Sequence, residues 1–111
     1  MPELKATALI ETFCDQLAIK LREFYDECLQ EGDDQSDVFM ATKQVEKISV
    51  SAFESMFFEL DGVDSSKFDK DQLRIAMSVL IGQKLFSVHK VNGINEALTY
   101  VKNEIIQTDT L

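Results

Sequence analysis

The sequence predicts an all-α fold, a four- to five-helix bundle with a long N-terminal amphipathic helix. Three observations carry that prediction. Apolar residues recur at spacings of 3 and 4 along most of the chain, the only proline is Pro2, and three of the four glycines fall between periodic segments. The 111 residues match the size of a single domain, 1–111, and with 45% apolar residues they can bury a core without disulfides or metal.

The first segment, Glu3 to Gln30, places Ile10, Cys14, Leu17, Leu21, Phe24 and Cys28 on one seam at spacings of 4, 3, 4, 3 and 4. A helix of that length spans about 40 Å, more than a small domain needs. The seam is therefore a candidate contact between two copies of the chain, and a homodimer is expected. Gly32 ends the segment, and the polar run Asp33-Asp34-Gln35-Ser36 follows.

In the second segment Ser36 is the expected N-cap, and Val38, Ala41, Val45, Ile48 and Ala52 keep helical spacing. The β-branched run around Ser49 and the sequence Ser51-Ala52-Phe53-Glu54, which reads as a capping box, predict a break into two helices. Phe53, Met56, Phe57 and Leu60 then form a core stripe. Phe58 points away from it and is a candidate partner anchor.

The third helix starts after Asp69. Asp69 and Gln72 stand at capping-box positions, and Phe68 and Leu73 at those of a hydrophobic staple. From Leu73 to about Lys90 the helix is apolar nearly all round, which marks a central buried element. Gly82 in its interior suggests close approach by a neighbour. The last helix follows Asn92-Gly93, with Ile94, Ala97 or Leu98, Val101 and Ile105 on one stripe and a frayed end at residues 107–111.

The stretch Asp61 to Gln72 can be laid on a calcium loop, and it fails. Asp61, Ser65 and Asp69 fit oxygen-ligand positions, but Val63 stands where a ligand is needed, Ser66 replaces the turn glycine, and Gln72 replaces the closing glutamate. His89 is the only histidine, Cys14 and Cys28 are 14 residues apart in one helix, and no glycine-rich phosphate loop is present. No cofactor, no metal site and no enzymatic activity are expected.

Net charge is −9 and uneven. Glu23, Asp26, Glu27, Glu31, Asp33, Asp34 and Asp37 follow one another without a basic residue. Such a chain has no basic face for phosphate, so direct nucleic-acid binding is not expected. No apolar run is long enough for a membrane span, and the cysteine usage suits a reducing, cytoplasmic setting. Two functions follow from the residues. One is a protein–protein interaction module (adaptor, assembly factor or inhibitor) that self-associates through the first helix. The other is an acidic decoy whose carboxylates imitate nucleic-acid phosphates on a basic protein.

Overall fold

The computed structural model describes residues 6–106. Its elements are α1 (Ala6–Gln30), α2 (Gln35–Phe57), a 3₁₀ turn at Ser65–Lys67, α3 (Lys70–Phe86) and α4 (Ile94–Tyr100), which runs on as a π-helical turn, Val101–Ile106. No strand occurs among the described residues, so the chain is all-α. The positions expected to begin the first helix, 3–5, and the expected frayed end, 107–111, lie outside the described residues.

Ile10, Cys14, Ala18, Leu21 and Tyr25 are the buried positions of α1. They match the predicted seam at Ile10, Cys14 and Leu21, but Ala18 is buried where Leu17 was expected and Tyr25 where Phe24 was, because an undistorted helix drifts from a strict heptad line. Tyr25 replaces Phe24 in the interior, meets the Phe86 ring edge-on at 5.5 Å and accepts a hydrogen bond from Gln35 Nε2 at 3.2 Å. A Schellman motif closes the helix. Gly32 takes φ +90°, its N–H donates to the Leu29 carbonyl, and the Asp33 N–H donates to that of Cys28.

The cap of α2 is Asp34, not Ser36: its Oδ2 accepts from the Asp37 N–H at 3.2 Å. The predicted break does not occur either. α2 runs unbroken through Ser49–Ser51, and Ser51 caps nothing. β-branched residues cost only tenths of a kcal/mol each in a helix, roughly an order below what the flanking aromatics gain by burial. Phe53 and Phe57 are those aromatics. Phe53 stacks on Phe13 at 4.2 Å, and Phe57, fully buried, meets Phe68 at 5.7 Å.

α3 begins as the sequence predicts. Asp69 Oδ1 accepts from the Gln72 N–H at 3.0 Å, and Leu73 is fully buried with Phe68 half-buried beside the core. Ala76, Met77, Leu80, Ile81 and Leu85 continue the interior, and α1, α2 and α4 all pack on this helix. It stops at Phe86, short of Lys90, because Ser87 adopts a left-handed conformation with φ 54°. Gln83 Oε1 then accepts from the Val91 N–H at 2.9 Å and holds the returning chain.

Beside the Asp15–Lys84 ion pair and the Tyr25–Gln35 hydrogen bond, two polar ties to backbone groups fasten α1 across the bundle. Arg22 donates to the Leu85 carbonyl at 2.8 Å, and Glu11 Oε1 accepts from the Ile94 N–H at 3.0 Å. The second tie demands a glycine at position 93. Its φ is +102°, and a Cβ there would stand 2.7 Å from the Glu11 carboxylate. In α4 and the π-helical turn that follows, Ile94, Ala97 and Val101 are buried, and Ile105 and Ile106 pack against the core.

Gly82 corrects an expectation. A Cβ added there would meet nothing within 4 Å, so no neighbour requires the glycine. Gly82→Ala should therefore raise the unfolding free energy by about 1 kcal/mol, through helix propensity alone. Urea denaturation checks it, and a loss of stability would mean that the site is tighter than described.

Candidate interaction surfaces

α2 leaves an apolar line facing outward and carries two polar residues inward. Val38, Thr42, Glu46, Val50, Phe53 and Phe57 face the bundle, and Thr42 and Glu46 are only 0% and 2% exposed. Ala41, Val45, Ile48, Ala52 and Met56 face out, with Val45 at 42%, Ile48 at 61% and Met56 at 51% exposure. Of the expected stripe Val38, Ala41, Val45, Ile48 and Ala52, only Val38 is buried, and Met56, expected in the core, is exposed. The structure turns the helix the other way.

The buried polar groups are partly satisfied. Thr42 Oγ1 donates to the Val38 carbonyl at 2.8 Å, and Lys43 Nζ donates to Glu46 Oε2 at 2.6 Å. Glu46 Oε1 has no partner, nor has the buried Glu54 Oε2. An unpaired buried oxygen of this kind costs about 1–3 kcal/mol. The outward face has the opposite character. Gln44, Ser49 and Ser55 flank its apolar line, and from Ala41 to Met56 no charged side chain falls on that arc of the helix.

The α1 seam expected to pair two copies is spent inside the chain. Ile10, Cys14 and Leu21 are buried in the protein's own core and Leu17 packs against it. Only Phe24 (38% exposed) and the half-buried Cys28 remain near the surface. The physical reason is that α3 needs a cover on the side α1 takes. Phe58, the expected anchor, is half-buried as well. It meets Phe57 edge-on at 5.3 Å, and Lys70 Nζ lies 5.3 Å above its ring.

The acidic residues follow the chain around the α1–α2 turn. Glu23, Asp26, Glu27 and Glu31 lie on the C-terminal part of α1 and beyond, Asp33 and Asp34 in the turn, and Asp37 in the first turn of α2. Asp34 and Asp37 suit a helix N-terminus, and Asp26 pairs with Arg22 at 3.2 Å. Glu27 and Glu31 sit instead at the negative end of α1, which has no basic residue in its last turn.

The remaining reactive groups are occupied. Burial pushes the Cys14 thiol up to about 12, Asp15 pushes it further and Lys84 opposes. Cys28 is raised too, by desolvation and then by Asp33, Glu31 and Glu27. His89 Nδ1 lies 3.1 Å from the Tyr100 hydroxyl. In the would-be calcium loop, the Ser66 hydroxyl donates to Asp64 and holds its carboxyl below the usual range, helped by Lys67. Asp69 is engaged as the α3 cap. No group of three or more metal-ligating side chains occurs among the described residues, and none of their helices is long and apolar enough to cross a membrane. No family model, curated protein or solved structure matches the chain.

A pH dependence follows from Cys14. Its folded-state thiol titrates above the ordinary value of 9.0, so stability is complete below pH 9.0 and is lost as pH climbs toward about 12. The contribution is at most about 1.4 kcal/mol per pH unit in that window. Cys14→Ala should flatten the alkaline slope of stability in chemical denaturation. In the native protein a thiol reagent should modify Cys28 and leave Cys14 until unfolding. Fast labelling of Cys14 would contradict its burial.

Proposed function

We propose that the protein is a non-enzymatic interaction module that pairs with a second copy of itself through the outward face of α2. One observation carries the reading. In a chain of net charge −9, the most exposed apolar stripe lies on a helix face free of charge. Two copies meeting through any acidic face would repel, and a neutral face removes that cost. The stripe has the spacing of a coiled-coil seam, with Ala41 and Ile48 at one position type and Val45 and Ala52 at the other. The deeply buried Cys14 thiol and the Tyr100-bound His89 support the non-enzymatic part.

The size of the face sets the strength. Sixteen helical residues offer a strip of about 24 by 10 Å. That is roughly a third of the 800 Å² per partner of a standard interface. The dimer is therefore weak and reversible, with a dissociation constant on the order of 10–100 μM.

A second reading keeps the acidic decoy, supported by Glu27 and Glu31 at the unfavourable end of α1. Its test is capture of basic nucleic-acid-binding domains across a salt series. Loss of binding between about 50 and 200 mM salt would support it, and indifference to salt would oppose it.

The dimer is tested by sedimentation velocity from about 5 μM to 1 mM, a range that brackets the expected constant. Wild type should shift from monomer to dimer, Ile48→Glu should remain monomeric and folded, and Phe24→Glu on the old α1 seam should still dimerise. A wild type monomeric throughout, or a dimer broken by Phe24→Glu but not by Ile48→Glu, would overturn the proposal.

A further inference from the structure

Between α2 and α3, bordering the face just described at Gln44, run two adjoining hollows of about 410 and 330 Å³ that share Phe39, Lys43 and Ser78. Ile75, Val79, Phe86 and Val88 give the second an apolar wall. Phe39 and Phe86 stand 5.1 Å apart there, and Phe39 and Val88 are 43% and 59% exposed. Gly82 lies in this hollow with open space where a Cβ would be. The glycine that no intramolecular contact requires therefore leaves room on the groove side.

Charge distinguishes the groove from the rest of the protein. Lys43, Lys47 and His89 line the two hollows, and Glu46 is the only carboxylate among their lining residues. Glu46 is buried and engages Lys43, and its free Oε1 lies below the surface. Lys47 is exposed and makes no ion pair among the described residues, so the groove presents one net positive charge on an acidic molecule. Both hollows are open along their length, and an open trough cannot enclose the 70–90% of a small ligand's surface that a small-molecule site buries. An extended apolar trough between two helices suits an amphipathic helix laid along it.

We infer that the α2–α3 groove binds an amphipathic helical segment of another protein, whose bulky apolar residues rest against Phe39, Val79 and Phe86 and whose acidic residue meets Lys47. This site is separate from the self-pairing face, and each can fail without the other.

The test uses the full chain, kept dilute enough to be monomeric, and two synthetic amphipathic peptides. Both carry Leu at positions i, i+4 and i+7; the flanking polar residue is Glu in one and Lys in the other. Amide chemical-shift changes on titration give site and affinity together. The Glu peptide should perturb Ser78, Gly82 and Val88 and bind about threefold to tenfold more tightly than the Lys peptide. Lys47→Glu should reverse that order. Gly82→Leu should stay folded, by its circular dichroism and dispersed amide spectrum, while losing most of the binding.

Three results would overturn the inference: no shift at the groove with either peptide, equal or tighter binding of the Lys peptide, or full binding by folded Gly82→Leu. Should Gly82→Leu unfold, Ser78→Leu, on the same groove, takes its place with the same expected loss.

Discussion

The rotation of α2 about its own axis governs what this protein shows to its surroundings, and Phe53 and Phe57 set that rotation. Phe57 is fully buried between α2 and the 3₁₀ turn, and Phe53 lies flat on Phe13 of α1. Burying each aromatic ring contributes about 1.5–3 kcal/mol. Because α2 is a single unbroken helix, fixing those two residues fixes the phase of every residue from Gln35 onward. Thr42 and Glu46 are thereby carried inward, and Val45 and Ile48 outward.

That constraint explains a local arrangement that would otherwise look unfavourable. A carboxylate with an unpaired oxygen is placed inside while an isoleucine faces water. Lys43 compensates one oxygen of Glu46, and the aromatic pair outweighs the remaining cost. The exposed apolar line is then a consequence of anchoring at the far end of the same rod. The proposed self-pairing would offset part of the cost of leaving Ile48 and Met56 in solvent.

Much of this architecture was legible in the residues. The capped start of α3, its apolar circumference and central place, the glycine stop at Gly32, and the burial of Ile10, Cys14 and Leu21 in α1 all follow from local rules of capping and period. What escaped was the phase of α2. Reading a break at Ser49–Ser51 uncoupled the Val45 stripe from the Phe53 stripe, and each half was then free to bury its most apolar side. A continuous helix cannot satisfy both, and the choice between them is made by Phe13 and Phe68, which arrive from distant parts of the chain. Local spacing likewise could not show that no neighbour crowds Gly82 or that Phe58 packs against the core. The α2–α3 groove left no trace in sequence, since its lining comes from α2, α3 and the segment after Phe86.

The measurement that tests this account most directly is hydroxyl-radical footprinting of the native protein, read at three methionines. Met40 and Met56 lie on the outer sides of α2 at 67% and 51% exposure, and Met77 is fully buried in α3. In dilute solution Met40 and Met56 should oxidise rapidly and Met77 hardly at all, and raising the concentration should protect Met56 but not Met77's already silent position. Protection of Met56 in the dilute monomer would mean that α2 is turned the other way, with the Val45–Ile48 face inside, and would contradict the account at its root.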